Sequence, residues 1–180
     1  MKDLKQEIIK FNYEKNFNND DFYISNSNKH IFDLINKWPK WEKNFLNISG
    51  EKFSGKTHLT NIFIKKFKGI RIHSNKLCNK NLETVKLNQN VVLEDLNADI
   101  DEKLAYTLFN IIDQDNKFLI ITSLKPIAEI NFKLKDFKSR TRNCLLAKIE
   151  NPDDELMFAL ILKNLSDRQI TLDKKLIDFI

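Results

Sequence analysis

The chain has 180 residues, 42% hydrophobic and 31% charged, and thirty basic against twenty-five acidic side chains give it a net charge of +5. That balance fits one globular domain with a small appendage and excludes a disordered chain or two full domains. Two cysteines, Cys78 and Cys144, rule out a disulfide framework or a cysteine zinc site, and no run nears the ~20 apolar residues of a membrane helix; with no leader-like start, the expected location is cytoplasmic.

In chain order, residues 1–20 read as a polar tail. Residues 44–49 read as a short strand, and Gly50-Glu51-Lys52-Phe53-Ser54-Gly55-Lys56-Thr57 follows as G-x-x-x-x-G-K-[ST]. From Lys56, the residues Leu59, Ile62, Phe63 and Phe67 recur at helical spacing. Strand, glycine loop and helix is the order that phosphate binding requires. Glycines let backbone N–H groups close around an anion, and the helix N-terminus adds partial positive charge. Lys56 is the candidate for the β- and γ-phosphates, and the Thr57 hydroxyl for Mg²⁺.

Ile70–His73 reads as a second strand. Val91-Val92-Leu93 reads as a buried parallel strand that delivers Glu94 and Asp95 at its C-terminal end. One carboxylate would order Mg²⁺ and the other would orient the attacking water; the residues leave open which does which. Asp101 is placed to cap a helix whose Leu104, Leu108, Ile111 and Ile112 face the sheet. A strand over 117–121 ends in Thr122-Ser123, where Ser123 is a candidate sensor of the γ-phosphate. A strand over 145–149 completes five. Beyond Pro152, the acidic run Asp153, Asp154 and Glu155 opens a helix; Leu156 to Leu162 is apolar nearly all round, which predicts burial. The predicted fold is α/β: a parallel five-stranded P-loop sheet with helices on both faces over 21–151, then a partial helical lid over 152–180. His30, His58 and His73 lack metal-ligand spacing.

In this order and spacing the sequence resembles the DnaA-related branch of the AAA+ ATPases, and more closely the Hda-type proteins that inactivate the DnaA initiator. Residues 21–28, with Phe22 and Tyr23, are similar to the segment that lies near the adenine in that family. Trp38-Pro39-Lys40-Trp41 resembles its spacer before the first strand, and Gly50 to Leu59, His58 included, follows its phosphate loop. Leu134 to Arg140 is similar to the family's box VII, which implies that Arg140 is a trans arginine finger; Arg142 is a nearby alternative. Gln6-Glu7-Ile8-Ile9-Lys10-Phe11 resembles the hexapeptide that binds the DNA polymerase sliding clamp, with Gln6, Ile9 and Phe11 as contacts and Glu7 as a departure. A short element packing on its own domain is the alternative reading of that segment. The resemblance implies bound ADP or ATP with Mg²⁺, the sliding clamp and DnaA as partners, a homodimer as an option, and no sequence-specific DNA contact. Glu94 stands where initiators carry Asp, and no sensor 2 arginine is visible, Arg168 lying too early. Weak turnover is therefore expected. The competing class is an independent P-loop ATPase of helicase-loader type or a small-molecule kinase.

Overall fold

The computed structural model describes residues 22–170; Gln6, Ile9 and Phe11, and the apolar positions beyond 170, lie outside them. The strands are β1 (Phe45–Ser49), β2 (Ile70–His73), β3 (Asn90–Leu96), β4 (Phe118–Ser123) and β5 (Leu145–Lys148). The helices are α1 (Lys29–Asn36), α2 (Lys56–Phe67), α3 (Asn79–Lys86), α4 (Glu102–Gln114), α5 (Lys135–Thr141) and α6 (Asp154–Asp167). All five strands pair in parallel in the order β2-β3-β4-β1-β5. The α/β fold read from the sequence is the fold observed.

Strand side chains alternate between faces, and this sequence sorts them. Phe45, Val91, Leu93, Leu119 and Ile121 pack with Leu82 of α3, Leu108 and Phe109 of α4 and Phe137 of α5. Leu46, Ile48, Val92 and Ile120 point the other way, onto Ile31 and Ile35 of α1 and Leu59 and Phe63 of α2. Both faces being covered, the central strands hold unbroken apolar runs, Val91 to Leu93 in β3 and Phe118 to Ile121 in β4. An aromatic chain fastens the first layer: Phe45 stacks on Phe109 at 4.9 Å, and Phe109 meets Phe137 edge-on at 5.2 Å. Such pairs contribute about 0.5–1.5 kcal/mol each beyond their burial.

Asp101 caps α4 as expected, accepting from the backbone N–H groups of Lys103 at 3.0 Å and Leu104 at 3.1 Å. That cap is worth about 1 kcal/mol. Asp153 caps α6 in the same way through Leu156 N at 2.8 Å. The predicted burial of Leu156 to Leu162 does not hold: Leu156 is buried, but Met157 is 48%, Leu160 41% and Ile161 39% exposed. An apolar run this long spreads around the helix axis, and among the described residues only one stripe of it is covered.

Two features of the topology position the site. Strand β1 lies between β4 and β5, so neither neighbour follows it directly in sequence. Open α/β sheets bind ligands beyond the carboxyl ends of their strands at such a switch point. Asn47, fully buried in β1, then fixes the loop ends: its amide donates to Ile121 O at 3.2 Å and Ser123 Oγ at 2.8 Å, and its Oδ1 accepts from Ile127 N at 2.8 Å.

Candidate functional site

The loop from Gly50 to Gly55 joins β1 to α2 and turns tightly back on itself. Gly50 N–H donates to Ser123 O at 3.2 Å, which ties the loop to β4. A Cβ on Gly50 would come within 2.8 Å of Ser54 Oγ and 3.2 Å of Ile149 Cβ, so a side chain there would push on both neighbours. Gly55, at φ +95°, takes the left-handed conformation that favours glycine. Phe53 is also left-handed, at φ 66°, and its ring is 96% exposed.

Lys56 opens α2 and folds back into the loop. Its Nζ donates to Gly50 O at 2.7 Å and Glu51 O at 2.6 Å, with Ser54 Oγ at 3.4 Å. Burial lowers its pKa from the usual lysine value, against the opposing pull of Asp95 and Glu51. The result is an ammonium poorly solvated by water and ringed by acceptors, a group that gains from an incoming anion.

Beside the loop lies a cavity of about 910 Å³, lined by Lys52 through His58, by Asp95 to Ala98 at the end of β3 and just past it, by Leu124, Lys125 and Glu129 after β4, and by Leu160 of α6. Its volume is that of a small-molecule site. Gly50 and Glu51 stand behind this lining and supply carbonyls to Lys56. Phe22 and Tyr23 do not line it either. Phe22 stacks on Phe32 at 5.9 Å and meets His58 edge-on at 5.2 Å. The Tyr23 hydroxyl donates to Glu155 Oε1 at 2.8 Å, which raises the phenol pKa and links this segment to the first turn of α6.

The two carboxylates of β3 part company. Asp95 is exposed and faces the cavity. Its backbone, at φ 57°, is held by Asp95 N–H donating to Thr122 Oγ1 at 3.0 Å. Glu94 is 2% exposed and turns toward α2 and β2: its Oε1 accepts from Thr60 Oγ1 at 2.9 Å and pairs with Arg71 Nε at 3.3 Å, while Oε2 faces His73 Nδ1 at 3.6 Å. Ser123 is buried as well. Its hydroxyl donates to Lys125 O at 2.6 Å and accepts from Asn47, so it shapes the loop after β4 instead of lining the cavity. The sequence reading does not single out Asn47 or Arg71, and it takes Thr122 only as part of a polar strand end; for Asn47 the available signal is a polar residue inside an otherwise apolar run.

Among the described residues no group of three or more His, Cys, Asp or Glu could hold a metal. Thr57 and Asp95 do share the cavity, and a hydroxyl, one carboxylate and the oxygens of a polyphosphate fit Mg²⁺, which binds few protein ligands. Arg140 stands elsewhere. It pairs with Asp113 Oδ2 at 2.6 Å and lies 6.0 Å from the Tyr106 ring centroid. With Tyr106, Asp136, Ser139 and Asn143 it lines a separate cleft of about 380 Å³, while Arg142 is exposed at the end of α5.

No family model matches the chain. Among curated proteins it is similar to the chromosomal replication initiator DnaA of Borrelia duttonii (strain Ly), 27% identical over 98% of this chain and 43% of the relative. The likeness to DnaA of Borreliella afzelii (strain PKo) is 25% over 98% and 44%. The chain thus spans less than half the length of these relatives. In fold it is similar to AMPPCP-bound DnaA from Aquifex aeolicus, with TM-score 0.71 and 20% identity over 88% of this chain and 57% of that one. Domain III of Thermotoga maritima DnaA gives TM-score 0.74 and 20% identity over 91% and 79%. DnaI gives 0.59 and 15% over 74% and 87%. Sequence relatives and fold neighbours agree in supporting a relationship to the DnaA-related AAA+ family.

Proposed function

We propose that the chain is a nucleotide-controlled adaptor of the Hda type that works in replication initiation. Its cavity holds ADP or ATP with Mg²⁺. Lys56 and the loop N–H groups take the phosphates, and Thr57 and Asp95 take the metal. Binding there fixes the shape of the domain, while Arg140 acts on ATP held by a DnaA molecule. The tail residues Gln6, Ile9 and Phe11 bring the adaptor to the sliding clamp. The likeness to an AMPPCP-bound DnaA supports the choice of an adenine nucleotide.

The observation that carries this reading is the separation of Arg140 from the chain's own cavity: the two clefts share no lining residue. An arginine so placed stands away from the chain's own cavity, which supports a role on a neighbour's nucleotide. Leaving Asp113 costs little, because both side chains are more than a third exposed and such pairs are worth about 0–1 kcal/mol. A trans arginine is worth ~10³–10⁵ in rate, or about 4–7 kcal/mol of barrier. The gain outweighs the cost. The test is hydrolysis of DnaA-bound ATP with clamp present: the parent protein should accelerate it, and Arg140→Ala should lose that acceleration while keeping its fold and clamp binding. Undiminished stimulation by the variant would remove Arg140 from the mechanism.

A second reading, a helicase-loader-like ATPase, draws on the fold likeness to DnaI. It requires substantial turnover without partners. The enclosure of Glu94 by Thr60, Arg71 and His73 speaks for the adaptor.

A further inference from the structure

We infer that the end of the sheet remote from the cavity is a docking surface for double-stranded DNA, held by its backbone phosphates without reading their sequence. The choice of DNA among polyanions rests on the replication reading above. Helix α2 starts at the phosphate loop and ends at Phe67, twelve residues and about 18 Å further on. There it meets the end of α1: Lys66 Nζ donates to Asn36 Oδ1 at 2.8 Å, and the Trp38 and Phe67 rings lie 4.6 Å apart. The turn after α1 is closed by Lys40 N–H donating to Lys37 O at 2.8 Å. Lys37, Lys40, Lys66 and Lys68 are gathered in this way at one end of the sheet, and all four are exposed. Residues 33–43 and 61–69 carry six lysines against two acids, Asp33 and Glu42, an excess close to the whole chain's net charge of +5.

Lysines at a helix C-terminus commonly serve its last carbonyls, but here other groups fill that role. In α1, Asn36 Nδ2 donates to Phe32 O at 3.0 Å, Lys37 N–H to Asp33 O at 3.1 Å, Trp41 Nε1 to Leu34 O at 2.7 Å and Trp38 N–H to Ile35 O at 3.2 Å. At the end of α2, Asn90 Nδ2 donates to Phe67 O at 3.0 Å and to Lys68 O at 2.9 Å. Among the described residues, Lys37, Lys40, Lys66 and Lys68 form no ion pair. Their charge is therefore available to a partner. The aromatic rings decide which nucleic acid fits. Trp38 packs on Phe63, Phe67 and Phe118, and Trp41 on Phe63 and Phe118. Rings spent on one another offer no platform for unpaired bases, which single-strand binding uses. Lysine is a point charge on a flexible stem, suited to phosphates that position a duplex. Double-stranded DNA carries one negative charge per ~1.7 Å of axis, so several phosphates fall within reach of this surface at once.

The test is fluorescence anisotropy of a short labelled duplex of arbitrary sequence, titrated with the full chain at several salt concentrations. Contacts from four lysines give a slope of about −3 to −4 for log affinity against log salt, so affinity should fall about 10²-fold between roughly 50 and 200 mM. Lys37→Gln/Lys40→Gln and Lys66→Gln/Lys68→Gln should each flatten the slope by about two and weaken binding about tenfold or more at low salt. Lys103→Gln/Lys135→Gln removes the same charge at the starts of α4 and α5 and should stay near the parent. A single strand of the same length should bind more weakly than the duplex. Emission from Trp38 and Trp41, the chain's two tryptophans, checks that each variant keeps the packing at this end, and if one pair fails to fold the other still decides. Absence of duplex binding at low salt, an equal loss in the Lys103/Lys135 variant, tighter binding of the single strand, or capture by phosphatidylserine vesicles in place of the duplex overturns the inference. ADP binding measured alongside is independent. A chain that binds ADP but no duplex loses this surface and keeps its nucleotide site; one that binds duplex but no nucleotide does the reverse.

Discussion

Replacing Gly50 with alanine tests the phosphate loop by its geometry. The added Cβ would sit 2.8 Å from Ser54 Oγ, a hydroxyl that can rotate aside, and 3.2 Å from Ile149 Cβ, which cannot. Ile149 is anchored through its own N–H donating to Ser49 O at 2.8 Å, so either β5 moves or the loop does. Overpacking of this kind costs about 1–3 kcal/mol. At about 2–4 °C per kcal/mol for a domain of this size, the melting temperature should fall by about 2–12 °C. The displaced Ser54 hydroxyl is also a neighbour of Lys56, so nucleotide affinity should fall together with stability. Thermal unfolding of both proteins across an ADP titration measures the two effects at once. If Gly50→Ala melts with the parent and shows the same shift with ADP, the loop is looser than described and the reasoning fails.

Phe53→Gly should be neutral or stabilising by up to about 1 kcal/mol: an L-residue in the left-handed region costs about 1–2 kcal/mol, glycine returns up to about 1 in chain entropy, and a ring 96% exposed loses little packing. Denaturant unfolding checks this; a marked destabilisation would mean that the ring is buried in solution. The lowered pKa of Lys56 predicts that nucleotide affinity falls as pH rises through the alkaline range below 10.5, because bound phosphates pull the pKa back up and binding must take up a proton. Calorimetry in two buffers of different ionisation enthalpy reads that uptake, and a flat profile would refute it. Without nucleotide the sign reverses: the unfolded chain holds this proton more tightly, so Lys56 makes the folded state relatively more stable as pH climbs through the same window.

The framework was legible because β3, β4 and β5 hold compact apolar runs and because α2 and α4 display their periodicity after a glycine loop and an aspartate cap. Helix α3 was not, since Leu82 and Val85 are its only buried positions and two apolar residues make no period. Helix α1 was missed for another reason: its N-cap Asn28 spends its amide outside the helix, with Oδ1 accepting from Ser25 N and Nδ2 donating to Tyr23 O, which hides the usual start signal. In the site, the phosphate loop could be read directly because its residues are contiguous. The division between Glu94 and Asp95 could not. Thr60 is 34 positions from Glu94, and Arg71 meets it only through the register of β2 on β3. Ser123 was read from its place at a strand end, but the partner that turns it inward, Asn47, lies 76 positions away.

The most direct test of the account measures, in one sample of purified protein with Mg²⁺ and no partner, both nucleotide binding and turnover. An adaptor should bind ADP or ATP saturably, lose that binding in Lys56→Ala, and turn over far below the ~1–10³ s⁻¹ of ordinary enzymes. Turnover within that range would make the protein an independent ATPase, and absence of binding would leave the cavity beside Gly50 to Thr57 without its ligand.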